Sequence, residues 1–236
     1  MMNKKSNITK VKPEVKKLSA EEANLAAKER VALINKEFSE GFEFIKKYPK
    51  SVTFFGSSTI NETSAHYQEA RKLAARLAKL GYAIVTGGGP GIMEAANRGA
   101  FEAGGKSVGL NITLPTEQKP NPYLTDYYQF YYFFSRKVLL SFAAEAYVLF
   151  PGGYGTFNEF YEIVTLIQTG RITPVPVILV GSDFWNPLDE YMRKVLLEKH
   201  ATVNADSLEI YKITDDEEKI VGLILETPVI ENIPFK

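Results

Sequence analysis

Three glycine-rich segments have the residue types that bind a phosphate-bearing ligand. They are Phe55-Gly56-Ser57-Ser58, Thr86-Gly87-Gly88-Gly89-Pro90-Gly91-Ile92-Met93 and Pro151-Gly152-Gly153-Tyr154-Gly155-Thr156. Glycine accepts positive φ and lets the backbone approach a ligand closely. Where a helix follows, its first N–H groups supply donors and the positive end of a dipole, and both favour a phosphate. A single turn of this kind can be only a tight corner, whereas three of them favour a phosphorylated ligand.

Two familiar nucleotide-binding motifs are missing from the sequence. The first segment lacks Gly-x-Gly-x-x-Gly, and no well-placed acidic residue follows a later strand to hold a ribose. The chain also lacks Gly-x-x-x-x-Gly-Lys-Ser/Thr. The sequence therefore excludes the ordinary dinucleotide fingerprint and the P-loop NTPases.

The same segments carry a resemblance to a known family. Together with Arg136-Lys137 and Phe157-Asn158-Glu159, they resemble the LOG family of nucleoside 5′-monophosphate phosphoribohydrolases. These enzymes release cytokinin bases in plants, and many bacterial members were labelled lysine decarboxylases. The motif Pro-Gly-Gly-x-Gly-Thr-x-x-Glu is specific, and residues 151–159 meet it in full, although Asn158 replaces the acidic residue that relatives usually carry. The similarity runs from about residue 51 to 200, and the N-terminal helix resembles that of longer bacterial members.

The resemblance implies a reaction and a site. The reaction is hydrolysis of the N-glycosidic bond of a purine nucleoside 5′-monophosphate, AMP or a base-modified AMP, to free base and ribose 5-phosphate, without metal or organic cofactor. Arg136 and Glu159 are the implied catalytic pair. The implied substrate-binding residues are Gly152, Gly153, Gly155 and Thr156 for the 5′-phosphate, Gly88, Gly89 and Met93 along the nucleotide, and Gly56, Ser57 and Ser58 of the first segment. A homo-oligomer, at least a dimer, is also implied.

The residue types at positions 136 and 159 suit this reaction. Hydrolysis of a ribosyl–base bond builds positive charge on the sugar and negative charge on the departing base. Glu159 can steady the ribose cation, or orient and deprotonate the attacking water. Arg136 can bind phosphate or ribose oxygens, or fix the carboxylate in a bidentate pair. The alternatives are an acid that complements a helix dipole and an arginine in a surface ion pair. Lys137 faces elsewhere on a helix and is left out of the predicted site.

An aromatic run, residues 127–134, precedes Arg136. Its rings can stack on a purine, but such a run more often belongs to a core or a subunit interface. Both readings hold together if the run is a strand, since a strand alternates its faces.

Other functions compete with hydrolysis. A non-catalytic carrier or sensor of a nucleotide or of a phosphorylated cofactor, such as molybdenum cofactor, can share the fold. An oligomeric scaffold is a second rival, but it leaves the three glycine segments without a purpose. Lysine decarboxylation normally needs pyridoxal phosphate on a lysine, and no loop is recognisably built for that lysine. We therefore reject that activity.

The elements that must position these residues follow an α/β pattern. Short apolar runs alternate with amphipathic helices, which predicts a Rossmann-like, doubly wound parallel sheet with helices on both faces and an N-terminal helical extension. The predicted strands are Val52–Phe55, Ala83–Thr86, Ser107–Ile112, Ala146–Phe150 and Val175–Val180. The predicted helices are Tyr67–Leu80, Gly91–Ala103, Phe133–Ala144, Thr156–Gln168 and Asn186–Lys199. Residues 210–226 are predicted to form a strand or turn and a closing helix.

Composition sets the remaining expectations. We expect a flexible basic tail at residues 1–18, a helix over 19–50 that starts with the capping box Ser19/Glu22, and a nucleotide-binding catalytic domain over 51–236. Lys plus Arg and Asp plus Glu both total 28, so a nucleic-acid partner is not expected. The chain has no cysteine and only two histidines, His66 and His200, so no metal site is expected. No run of residues predicts a signal peptide or a membrane span, which favours a cytoplasmic location.

Overall fold

The computed structural model of the protein describes residues 18–113 and 119–227. The predicted tail, residues 1–18, lies outside the described residues apart from Leu18 and stays a prediction. The capping box is confirmed, because the Ser19 N–H donates to Glu22 Oε2 at 2.8 Å and the Glu22 N–H donates to Ser19 Oγ at 3.2 Å. It starts helix α1, Ala20–Ile45, which ends a few residues before the predicted Tyr48-Pro49.

The chain divides into two compact units, Met1–Lys36 and Glu37–Lys236. The boundary between these units falls within α1, and the predicted domain boundary after residue 50 stays a prediction. The last turns of α1 belong to the second unit, and their aromatic rings pack on other rings of that unit. The ring centroids of Phe38 and Phe134 are 6.5 Å apart, and those of Phe42 and Phe142 are 6.0 Å apart.

The second unit contains a seven-stranded sheet in which every neighbouring pair is parallel. The strands are β1 (Ser51–Phe55), β2 (Ala83–Thr86), β3 (Ser107–Ile112), β4 (Asp126–Phe130), β5 (Tyr147–Leu149), β6 (Val177–Leu179) and β7 (Tyr211–Ile213). Their order is β4-β3-β2-β1-β5-β6-β7. This order confirms the predicted doubly wound sheet, in which the chain first builds outward from β1 on one side and then on the other.

The five predicted strands are all present within a residue or two of their predicted ends, and β7 confirms the strand expected near residue 210. The sequence did not predict β4 as a separate strand. Its residues Asp126–Phe130 alternate between partly buried and exposed side chains and end on the buried Phe130, because β4 lies at one edge of the sheet. A central parallel strand is instead a continuous apolar run, and that was the signal used for the other strands.

Helices cover both faces of the sheet, as predicted. They are α2 (Ala65–Lys79), α3 (Ile92–Glu102), α4 (Phe133–Phe142), α5 (Tyr154–Gln168), α6 (Ser182–Tyr191), which continues as a π-helix over Met192–Lys199, a short 3-10 helix (Ala205–Glu209) and α7 (Glu217–Leu225). On one face, α2, α3 and α7 bury Leu77, Ile92 and Ile224. On the other face, α4, α5 and α6 bury Leu139, Phe160 and Trp185. Across the described ranges, no helix is long and apolar enough to cross a membrane.

The three glycine segments meet at one edge of the sheet. They follow β2, β1 and β5, which are neighbours, and the strand order reverses between β1 and β5. Across this reversal the Ser57 N–H donates to the Pro151 carbonyl oxygen at 3.0 Å. Ligands of open α/β sheets bind at the carboxyl ends of the strands where the order reverses, so the fold places the segments where a ligand is expected.

Candidate active site

A cavity of about 340 Å³ opens at the carboxyl edge of β1, β2 and β5. Its walls combine parts of the three glycine segments with side chains from α4 and α5. The predicted site residues that line it are Gly56, Ser57, Ser58, Met93, Arg136, Gly153, Gly155, Thr156 and Glu159. Its other lining residues, which the sequence did not single out, are Phe55, Thr59, Gly87, Phe133 and Leu140.

Three predicted binding residues lie behind the wall instead of on it. The carbonyl oxygens of Gly88 and Gly89 accept hydrogen bonds from the Asn121 backbone N–H and Asn121 Nδ2, at 2.9 and 3.1 Å. A Cβ on Gly152 would come within 2.0 Å of Thr156 Oγ1 and 3.0 Å of the Ser57 nitrogen. Gly152 therefore lets the first and third segments pack together, and a direct contact of these three residues with a ligand stays a prediction.

The start of α5 supplies donors to the cavity. Phe157 is the first residue of α5 whose backbone N–H has an acceptor at the helical spacing, the Gly153 carbonyl oxygen at 3.1 Å. The amides of residues 154–156 precede it, in the turn where helix N–H groups have no intrahelical acceptor. Gly153, Gly155 and Thr156 line the cavity, and Ser57 Oγ lies 2.8 Å from Thr59 Oγ1 on the opposite wall. Amides, hydroxyls and a helix dipole are groups that can bind an anion, and we call this part of the cavity the anion-binding corner.

Glycines of the second segment make room for the other parts of the site. A Cβ on Gly87 would lie 2.0 Å from Arg136 Nη2, so only glycine leaves the guanidinium its place beside this turn. Gly91 has φ +72°, and a Cβ there would lie 2.2 Å from the Ser57 carbonyl oxygen. That oxygen accepts the Ile92 N–H at 3.0 Å, which ties the first segment to the start of α3.

Arg136 extends from the first turns of α4 to the cavity wall. Its Nε–H donates to the Leu110 carbonyl oxygen at 2.6 Å, and Nη2 contacts the Gly87 carbonyl oxygen at 3.5 Å. The guanidinium carbon lies 5.7 Å from the centre of the Phe133 ring. Burial lowers the pKa of Arg136 from its usual value, and the negative charge of Glu159 opposes this shift. A guanidinium keeps its proton in proteins, so Arg136 presents a positive charge and spare N–H donors.

Glu159 extends from the first turn of α5 and is only 6% exposed. Its Oε2 is buried and accepts no hydrogen bond from any residue that the structure describes. The pKa of Glu159 is raised to about 7, mainly by burial. The charge of Lys137 opposes this rise in the pKa, that of Glu162 adds to it, and that of Arg136 opposes it. A carboxyl group with an unused oxygen and a pKa near neutrality has the properties of a general base.

The two implied catalytic residues do not bind each other. Within the described residues, Arg136 and Glu159 form neither a hydrogen bond nor an ion pair shorter than 4.0 Å, so the bidentate pair is not formed. Arg136 instead uses backbone carbonyl oxygens as its acceptors. Both side chains line the same cavity and stay available to a molecule bound between them.

Lys137, which the sequence leaves out of the site, does not line the cavity. Its Nζ forms an ion pair with Glu162 Oε2, one turn along α5 from Glu159, and its charge acts on the Glu159 carboxyl. The spacing of Glu159 and Glu162, i and i+3 on one helix, was the sequence signal for a shared face. Asn158 is exposed and borders a separate shallow groove with Lys137 and Glu162, outside the cavity.

The aromatic run divides between two elements. Phe130, at the end of β4, is fully buried in the core, whereas Phe133, at the start of α4, lines the cavity beside Arg136. Phe130 therefore confirms the core reading of the run, whereas stacking of a ring on a purine stays a prediction. Tyr127 and Phe134 remain about half exposed.

Comparison with known proteins identifies the family. The model of the family described as "Possible lysine decarboxylase" matches residues 93–224, which is more than half of the chain. The chain belongs to this family. The match covers Met93, Arg136 and the whole third glycine segment through Glu159. The match confirms the resemblance drawn from the motifs, because bacterial members of the LOG family were labelled lysine decarboxylases. The chemistry of the sequence argues against that label as an activity.

Named relatives of the chain include two enzymes that act on nucleotides. The cytokinin riboside 5′-monophosphate phosphoribohydrolase of Rhodococcoides fascians is 28% identical over 158 residues, which cover 65% of this chain and 79% of the relative. The pyrimidine/purine nucleotide 5′-monophosphate nucleosidase of Escherichia coli K12 is 28% identical over 164 residues, which cover 64% of this chain but 36% of that longer protein.

A solved structure shows the same fold. The molybdenum cofactor binding protein of Rippkaea orientalis superposes with a TM-score of 0.57 at 21% sequence identity, over 75% of this chain and 96% of that protein. At this identity the likeness shows the architecture alone.

The buried carboxyl of Glu159 predicts a measurable effect on stability. Its pKa is about 7 in the folded protein and 4.5 ordinarily, so between these pH values the folded state binds more protons than the unfolded state. Stability is therefore lost as the pH rises through this window, and Glu159→Gln removes the loss. We expect Glu159→Gln to raise the free energy of unfolding at pH 8 by about 1–3 kcal/mol, with the difference shrinking toward pH 4.5. Urea denaturation at both pH values measures it.

The exposed variant Glu190→Gln serves as the control and should change the free energy of unfolding by less than about 0.5 kcal/mol at either pH. If Glu159→Gln were less stable than the wild type at pH 8, the buried carboxylate would not lower the free energy of unfolding, which would contradict this prediction.

Proposed function

We propose that the protein hydrolyses the N-glycosidic bond of a purine nucleoside 5′-monophosphate, AMP or an N6-modified AMP, to the free base and ribose 5-phosphate. The observation that carries this proposal is the buried Glu159 carboxyl, whose Oε2 has no partner among the described residues and which shares a cavity with Arg136. A binding module gains nothing from leaving a buried carboxylate oxygen unpaired, because such a group costs stability.

The proposed reaction uses Glu159 on a water molecule. The deprotonated carboxylate takes a proton from the water as its oxygen bonds to C1′ of the ribose, and the bond from C1′ to the base nitrogen breaks. The base leaves with the electron pair and takes up a proton from the solvent, and Glu159 later releases the proton that it took from the water to the solvent. The carboxylate also faces the positive charge that develops on the ribose. A pKa near 7 suits a general base at neutral pH, since the group is both substantially ionised and strongly basic.

The anion-binding corner supports a substrate with a 5′-phosphate. Amides at the start of α5 and the hydroxyls of Ser57 and Thr156 suit phosphate oxygens. Arg136 has five N–H donors and uses two of them on carbonyl oxygens of described residues, so others remain for phosphate or ribose oxygens. The apolar walls formed by Met93, Phe133 and Leu140 suit an aromatic base.

The relatives agree with this class of reaction, because both are named for the cleavage of nucleoside 5′-monophosphates. Their names differ in the base, and the preference for purine is our inference from the sequence resemblance. The rival is a carrier that binds a nucleotide or a phosphorylated cofactor without cleaving it. It requires the phosphate corner but has no use for the unpaired carboxyl of Glu159.

Hydrolysis is tested directly on the purified protein. We expect release of free base from AMP or isopentenyl-AMP in preference to CMP and UMP, measured by chromatography. Glu159→Gln should reduce kcat by about 100-fold or more, because it removes the general base.

The pH dependence of the wild type tests the same group. Since the general base must be ionised to act, kcat/KM of the wild type should fall as the pH is lowered through about 7.

Asn158→Ala is the matched control for this test, because Asn158 is the exposed neighbour of Glu159 and lies outside the cavity. Its kcat should stay near that of the wild type. If no nucleotide is cleaved although AMP raises the melting temperature, the carrier is the correct function.

Gly87→Ala tests the place of Arg136. The added Cβ would occupy the position of Arg136 Nη2, and a flexible side chain can move away at small cost to the fold. We expect kcat/KM for AMP to fall by about 10- to 100-fold, because a displacement of about 1 Å can cost that much. The melting temperature should change little.

Gly222→Ala is its control, since nothing lies within 4 Å of a Cβ added at Gly222 in α7. That variant should keep full activity. Wild-type activity in Gly87→Ala would contradict the proposed role of the guanidinium.

A further inference from the structure

The Glu37 carboxylate is buried at the start of α4. The residue is 3% exposed, and its carboxylate accepts hydrogen bonds from the backbone N–H groups of Tyr131 and Tyr132 and from the Ser135 hydroxyl. Its Oε1 receives both N–H groups, and the Tyr132 nitrogen lies 3.3 Å away. No cation of a described residue forms an ion pair with it. The carboxylate is therefore held by hydrogen bonds from one short stretch of the chain.

These donors belong to the corner between β4 and α4. Tyr132 is the residue that caps α4; it has an extended conformation and makes no side-chain capping hydrogen bond. Helix starts have N–H groups without helical acceptors and a positive dipole end. Glu37 lies in α1, 94 residues before Tyr131 in the chain. Its carboxylate accepts these N–H groups in place of a local capping side chain. The start of α4 is thus fixed by a residue outside it.

The same short helix carries the arginine of the site. The Arg136 N–H donates to the Tyr132 carbonyl oxygen at 3.3 Å, so Arg136 lies one helical turn from the corner that Glu37 holds. Phe133, which lines the cavity beside the guanidinium, is the first residue of α4. A shift of this corner would move both cavity residues together.

We propose that Glu37 is a positioning residue, which holds the first turn of α4 so that the Arg136 guanidinium stays at the cavity wall. It touches neither the cavity nor a ligand and acts through Arg136. The consequence for activity rests on the proposed function, whereas the consequence for the place of Arg136 does not.

The chain offers a matched control in a second buried carboxylate. Glu145 is 9% exposed and accepts the Ser51 N–H at 2.7 Å, at the amino end of β1 and thus at the edge of the sheet opposite the cavity. Glu145→Gln makes the same chemical change as Glu37→Gln in a similarly buried place, but beyond the carboxyl end of α4, far from the first turn that Glu37 holds.

The first measurement compares kcat/KM for AMP in two backgrounds. We expect Glu37→Gln to lower kcat/KM roughly tenfold in the wild type, with a larger loss in Glu37→Ala, because a slightly misplaced group costs this much. In an Arg136→Ala background, Glu37→Gln should add no more than about a twofold loss, since residues that act through one group are not additive. Glu145→Gln should leave kcat/KM unchanged. An equal loss from Glu37→Gln in both backgrounds would overturn the proposal.

The second measurement does not depend on hydrolysis. The Arg136 Nε–H donates to the Leu110 carbonyl oxygen at 2.6 Å, so we expect it to be protected from exchange with water and to be measurable by NMR. It should exchange at least about tenfold faster in Glu37→Gln than in the wild type or Glu145→Gln. Unchanged exchange would overturn the proposal. If the wild type cleaves no nucleotide, the proposed function fails and the exchange rate alone decides the role of Glu37.

If the Glu37 variants do not fold, Ser135→Ala takes their place in both measurements. This change removes one donor to the carboxylate and leaves Glu37 in place. Ser135→Ala should lower kcat/KM about threefold and speed the exchange of the Arg136 Nε–H about threefold. A loss of activity without faster exchange would contradict positioning through Arg136.

Discussion

The hydrogen bond from the Ser57 N–H to the Pro151 carbonyl oxygen joins the loops on the two sides of the strand-order reversal. The loops meet because Gly152 lacks the Cβ that would collide with Thr156 and the Ser57 backbone. The same contact aligns the first segment with the start of α5. The Ser57 carbonyl oxygen in turn accepts the Ile92 N–H, so one loop fixes the relation of three helix-and-strand units. The anion-binding corner and the position of Glu159 both depend on this junction.

Two charges are kept at the cavity without neutralising each other, and this carries an energetic cost. Burial acts against the charged forms of Arg136 and Glu159, lowering one pKa and raising the other. The carbonyl oxygens of Leu110 and Gly87 offset part of the cost for Arg136. Lys137 limits the rise of the Glu159 pKa, and Glu162 holds Lys137 in place through an ion pair. A site that keeps such charges unpaired trades stability for reactivity.

The parts of the structure that sequence reasoning reached are those with a local signal. Continuous apolar runs such as Ala146–Phe150 predicted inner strands, and the glycine segments predicted which ends of those strands line the cavity. The edge strand Asp126–Phe130 has no such run. Helix periodicity places Lys137 on a face of its own helix but does not say which helix lies opposite. The contact of Glu37 with the start of α4 joins residues more than 90 positions apart, so no local pattern indicates it.

The most direct test is a crystal structure of Glu159→Gln with bound AMP, since a variant without the general base should hold the uncleaved nucleotide. The account predicts the phosphate against the amides of residues 153–156, Arg136 hydrogen-bonded to the ligand, and C1′ of the ribose next to the residue-159 side chain. AMP bound outside the cavity, or with C1′ turned away from residue 159, would contradict the assignment of Glu159 as the group that acts on the glycosidic bond.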